Sequence, residues 1–116
     1  MGIRFGAMEL SEYQSRSRTT AVYPQAGANL LYPTLGLCGE AGEVAEKIKK
    51  MVRDDGGLLT DERRTALAKE LGDVLWYLAQ IATEAELELD AIAVANIEKL
   101  SSRQRRDVLQ GSGDER

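Results

Sequence analysis

An eight-residue pattern occurs twice in this chain at an interval of thirty residues, and it constrains the fold more than any other feature. Leu37-Cys38-Gly39-Glu40-Ala41-Gly42-Glu43-Val44 and Leu67-Ala68-Lys69-Glu70-Leu71-Gly72-Asp73-Val74 both read Leu-x-x-Glu-x-Gly-acid-Val. Each copy sits inside a longer stretch with the 3.6-residue recurrence of an amphipathic helix. At about 100° per residue, Leu37, Ala41, Val44, Ile48 and Val52 form one apolar stripe, and Leu67, Leu71, Val74, Leu78 and Ile81 form another. Glu40 and Glu70 fall on the stripe edges, with Glu43 and Asp73 just outside on the same side. If the stripes pack face to face, all four carboxylates reach one rim, where their repulsion calls for a cation.

Four segments carry helical periodicity and none alternates as a half-buried strand does, so the expected fold is all-α, a four-helix bundle-like protomer. With 116 residues the chain is read as one domain, its helical core at about residues 8–106. A domain this small buries less than ~70% of its unfolded surface, which makes oligomerisation the expected remedy. The first helix is expected from Leu10 to Ala21, with Ser11 or a neighbour as N-cap, before the loop holding Pro24 and Gly27. The second runs from Pro33-Thr34 to Arg53, stopped by Asp54-Asp55-Gly56-Gly57. The third follows the capping pair Thr60-Asp61 and runs to about Glu86. The fourth follows Asp90, read as its N-cap, towards Arg106, with Leu89, Ile92, Ala93 and Leu100 as its buried stripe. From about Gln104 the chain is polar, and its end, Gly111 to Arg116, is expected to be mobile unless a partner orders it. Met1 to Ala7 is read as an extension, Met8 being an alternative start.

The chain has no histidine, which excludes Ser-His-Asp and Cys-His nucleophiles, histidine general bases and histidine-ligated metals. A ferritin-like di-iron centre is disfavoured for the same reason. The donors that remain are oxygens, which suit Mg²⁺ or Mn²⁺. The lone Cys38, the lack of a long apolar stretch in residues 1–7 and a longest apolar run of only Val74 to Ala79 point to a cytoplasmic protein with no membrane span. A net charge of −4 argues against a nucleic-acid partner.

Further residues gather around the acids. Gly42 and Gly72 each lie between the two acids of their helix, where a mid-helix glycine costs ~1 kcal/mol against alanine and leaves room for a metal, a ligand or another backbone. Lys47, one turn after Glu43, meets either a phosphate or Glu43 itself in an i,i+4 pair. Asn96 falls in the apolar stripe of the fourth helix, as a satisfied core amide or a site residue, and Lys99 and Arg103 on its border favour the site. Tyr77 points towards the carboxylates, whereas Trp76 projects away from them and is expected at a subunit contact. Tyr13, Gln14 and the Tyr23–Tyr32 loop are open candidates for a base pocket.

The stretch Leu35 to Glu46, followed by Lys69-Glu70-Leu71-Gly72-Asp73-Val74-Leu75-Trp76-Tyr77-Leu78 and by Ala95-Asn96-Ile97-Glu98-Lys99-Leu100, resembles the MazG-like nucleotide pyrophosphohydrolases of the all-α NTP pyrophosphatase superfamily. The similarity runs from about Tyr13 to Arg103. The family pattern is Glu-Glu-x-x-Glu, a spacer, then Glu-x-x-Asp. Its first acid is Gly39 here, while Glu40, Glu43, Glu70 and Asp73 match the metal-binding positions. The resemblance implies Mg²⁺-dependent cleavage of a nucleoside triphosphate between its α and β phosphates, to a monophosphate and pyrophosphate. It also implies a homodimer or tetramer with sites near subunit contacts. On that reading Glu40 and Glu43 are the catalytic acids, Glu43 sharing metal binding with water orientation, and Lys47, Tyr77, Asn96, Lys99 and Arg103 bind substrate. Phosphoribosyl-ATP pyrophosphohydrolase, a relative with the same acids, and a non-catalytic helical dimer that senses nucleotide or metal are the competing readings.

Overall fold

In the computed structural model, residues 6–107 and 109–115 are described, and among them every regular element is a helix. The expected all-α class is therefore observed, with α1 at Leu10–Arg18, α2 at Leu31–Asp55, α3 at Asp61–Glu84 and α4 at Leu89–Arg105. Most of the expected extension, residues 1–5, lies outside the described part of the chain. No described helix is long and apolar enough to cross a membrane.

Local chemistry sets the boundaries. α1 ends three residues before the expected Ala21, because the Thr19 and Thr20 hydroxyls donate back to Arg16 O at 2.7 Å and Ser17 O at 2.8 Å and compete with helix continuation. α2 begins ahead of Pro33. The Asn29 side chain accepts from Tyr32 N–H at 2.9 Å, and Pro33 sits in the first turn, where its missing N–H leaves no helical bond unmade. Gly56, at φ +60°, provides the left-handed cap that ends α2. Thr60 caps α3 as expected, its hydroxyl accepting from Arg63 N–H at 3.2 Å.

α4 departs from expectation. Its N-cap position is Glu88, with no side-chain bond, and Asp90 instead accepts the Ser11 N–H at 3.0 Å, so it caps the neighbouring helix α1. An acid near a helix start serves whichever unpaired N–H lies nearest, and here tertiary packing brought another helix's amide closer.

α2 and α3 form an antiparallel hairpin, the dominant contact of the fold, tied at its turn by Arg63 ion pairs to Asp54 and Asp55. α1 lies across α3 and is the chief partner of α4. The core is small: Ala79, Ala82 and Leu89, with Leu10 and Tyr13 packed against them. Beside it Gln14 donates to Thr83 Oγ1 at 3.1 Å and Leu87 O at 2.9 Å and accepts from Leu89 N–H at 2.8 Å, which makes it a structural amide.

Much apolar surface stays uncovered. Leu35, Val52, Leu71, Val94 and Ile97 are each at least half exposed, and of the expected stripe on α4 only Leu89 is buried, because α4 has little beyond α1 to pack on. The accessible surface is 8609 Å² for 12.7 kDa, where about 6,200 Å² is usual for a folded monomer of that mass. The radius of gyration is 17.2 Å against about 13 Å for a compact chain of this length.

Candidate active site

The α2–α3 hairpin brings together three of the four acids in the repeated pattern, Glu40, Glu70 and Asp73, with one carboxylate oxygen of each within 4.8 Å of the others. Glu40 and Glu70 are half-buried and Asp73 is exposed. Burial pushes the Glu40 carboxyl above its ordinary range, and its hydrogen bond with Glu70 and the charges of Asp73, Glu70 and Glu43 push it further. Glu43 stands outside the close trio, exposed, yet near enough for its charge to be felt by Glu40. A cluster of this kind gains from a hard cation. The all-oxygen donor set, on adjoining turns of two rigid helices, fits one.

Lys47 pairs across the hairpin with Glu70, Nζ to Oε1 3.8 Å, rather than with Glu43 one turn away. One carboxylate of the site thus already has a cation beside it.

A cavity of about 330 Å³ adjoins the acids, lined by Thr20, Glu40, Asp73, Trp76 and Tyr77. Tyr77 is on the acid side, as expected. Burial raises its hydroxyl pKa, and Tyr32, Glu40 and Asp73 raise it further, so the phenol stays protonated and able to donate. Tyr13 reaches the same region from α1, its hydroxyl raised by burial and by the charge of Asp73.

Trp76 corrects the projection. Its indole N–H donates to Thr20 Oγ1 at 2.8 Å, its ring meets Tyr77 edge-on at 5.1 Å, and it forms part of the same cavity wall as Glu40 and Asp73. Helical projection measured its angle from the stripe of α3 and missed the chain leaving α1, which folds over that second face.

Of the roles open to the two mid-helix glycines, close approach to another part of this chain is not the one observed. A Cβ at Gly42 or Gly72 would meet nothing within 4 Å, so neither makes a close approach within the chain. Gly36 does: a Cβ there would lie 2.2 Å from the Tyr77 ring, and the missing side chain lets Tyr77 lie against α2.

The segment between α1 and α2 is held by Glu84. Its side chain, 1% exposed, accepts from Tyr23 Oη at 2.5 Å, Gly27 N–H at 2.8 Å, Asn29 N–H at 2.9 Å and Arg18 at 2.9 Å. Burial alone would raise its carboxyl, but these donors outweigh burial and lower it to about 2. Tyr23, so anchored, stacks on Tyr32 at 5.1 Å and meets Trp76 edge-on at 6.4 Å. Glu84 had one sequence signal, an acid in the last turn of a helix, where the dipole disfavours it.

Asn96, Lys99 and Arg103 are not brought to this cavity within the chain. Asn96 is exposed beside an apolar groove with Leu75, Leu78 and Ile92, while Lys99 and Arg103 engage Asp114 after α4.

Over residues 31–107 the sequence matches the MazG nucleotide pyrophosphohydrolase domain. The chain belongs to the MazG family. The match starts with α2 and includes all of α3 and α4, so the three close acids lie inside it while Tyr13 and Thr20 lie outside. This MazG chain is also 47% identical over 114 residues to the gene 37 protein of Mycobacterium phage L5, covering 94% of the chain and all of that protein. No solved structure matches it at a significant level.

Proposed function

We propose that this MazG chain hydrolyses nucleoside triphosphates, NTP or dNTP, between the α and β phosphates, releasing nucleoside monophosphate and pyrophosphate with Mg²⁺, or Mn²⁺ in its place. The observation that carries the reading is the approach of Glu40, Glu70 and Asp73 to within 4.8 Å on the helices of the MazG match. These acids would hold a Mg²⁺ ion, whose chemistry would be to offset phosphate charge and acidify an attacking water. Glu40, Glu70 and Asp73 hold the ion. Glu43, exposed at the edge of the trio, adds a ligand or orients the water. Lys47, whose ammonium lies 3.8 Å from Glu70, would offer its charge to a phosphate oxygen once a cation balanced that acid. Tyr77 donates from the cavity wall, and Trp76 offers a flat apolar face to base or sugar. Thr20 and Tyr13, which lie outside the family match, are where this chain sets its own base preference.

The cavity wall comes from the α1 end, α2 and α3, and the cations of α4 stand elsewhere in the chain. Asn96, Lys99 and Arg103 hold phosphates or sugar in an assembled homodimer or tetramer, where α4 of one copy adjoins the acids of another. The excess surface, about 2,400 Å² over the usual monomer value, is of the size that an obligate dimer interface buries.

The test is incubation of the purified protein with each NTP and dNTP and Mg²⁺, with pyrophosphate and orthophosphate measured separately. The reading expects pyrophosphate and the monophosphate in equal amounts, and no activity after chelation. Orthophosphate as the first product contradicts it.

A further inference from the structure

The chain after α4 turns back onto that helix. Asp114 Oδ1 lies 3.2 Å from Lys99 Nζ and 3.2 Å from Arg103 Nη2, and Nη2 also donates to the main-chain oxygens of Asp114 at 2.7 Å and Gly113 at 3.5 Å. Arg103 is 3% exposed. A guanidinium buried that far needs its donors satisfied, yet its Nε is buried with no hydrogen-bond partner.

Nε and Nη2 form one edge of the guanidinium fork, the edge that carboxylates and phosphates engage with two oxygens at once. Here that edge is half used. Asp114 gives one carboxylate oxygen, shared between Lys99 and Arg103, and its side chain is 83% exposed. A phosphate group carries enough oxygens to meet Nε, Nη2 and the Lys99 ammonium together. The buried arginine is therefore better matched to a phosphate than to the one shared aspartate oxygen that now holds it.

We propose that residues 111–115 are an internal strap, in which Asp114 occupies a Lys99–Arg103 oxyanion site and is displaced by the phosphate groups of the substrate. This rests on the reading that Lys99 and Arg103 take substrate phosphates. Because Asp114 is exposed, its ion pairs shift the equilibrium only about two- to fivefold, so the strap tunes affinity and does not block the site. A polyphosphate, which can engage both arms of the fork, displaces it more readily than a lone carboxylate metabolite.

The experiment uses the full chain and inorganic tripolyphosphate without divalent metal, with calorimetric affinities for wild type, Asp114→Asn, Asp114→Ala and Lys99→Gln. Amide hydrogen exchange of residues 109–115 is followed with and without the probe. The strap predicts about two- to fivefold tighter binding in both Asp114 variants and faster exchange of residues 109–115 when tripolyphosphate binds wild type. Equal affinities, with exchange unchanged by the probe, overturn it. Tripolyphosphate that fails to bind wild type, or binds Lys99→Gln as well as wild type, overturns instead the assignment of phosphates to α4. Lys99 is the informative cation because, unlike Arg103, it is partly exposed.

Discussion

A carboxylate in the last turn of a helix opposes the helix dipole, and Glu84 stays charged there only because four donors converge on it. Its folded value of about 2 lies below the ordinary 4.5. The stability it contributes is thus fully present above pH 4.5 and is lost as pH falls from there through about 2. Urea unfolding from pH 7 to pH 2 should show wild type losing stability in that window. Glu84→Gln should start less stable and fall less steeply, and parallel curves would remove Glu84 from the account. Gly36→Ala makes a second residue-scale prediction: with three Tyr77 ring atoms 2.2–2.5 Å from the new Cβ, the ring must move, costing about 1–3 kcal/mol by chemical denaturation. The same change at Gly42 meets open space in the chain and should not destabilise an isolated protomer. The acids were legible in the sequence because a 3.6-residue period fixes which residues share a helix edge. Trp76 and Glu84 were not, because partners such as Thr20, Gly27 and Asn29 come from a loop whose path no helical period encodes.

At the scale of elements, the capping chemistry separates what is local from what is tertiary. Thr60 acts on its own helix within three residues, and Thr60→Ala should lower stability by about 1 kcal/mol in urea unfolding. Asp90 belongs to a contact seventy-nine residues long in sequence, Ser11 N–H to its Oδ1, which a reading of local signals assigned to the wrong helix. Element existence was legible throughout. The ends of α1 and α2 moved because threonine hydroxyls, Asn29 and Pro33 act by side-chain geometry rather than by hydropathy.

The whole molecule is more open than its length allows for a compact monomer, with 8609 Å² of accessible surface and half-exposed leucine and valine side chains on α2, α3 and α4. Of the stripes expected on α2 and α3, Leu37, Val44, Leu67, Val74 and Ile81 are half-buried, while Ala41, Ile48, Val52, Leu71 and Leu78 are exposed in a single copy of the chain. Sedimentation at micromolar concentration should therefore return a dimer or tetramer, and Leu71→Asp, on the uncovered stripe, should reduce both the assembly and the turnover. A monomer with full activity would separate the exposed faces from function. The proposed function stands on Glu40, Glu70 and Asp73 acting as one metal-dependent centre for α–β cleavage. Its most direct measurement is the rate of pyrophosphate release with saturating Mg²⁺ and nucleoside triphosphate, for wild type, Glu40→Gln and Asp73→Asn. Each variant should lose about 10²-fold or more of that rate with helical content unchanged, and a wild-type rate in either would rule out a shared centre.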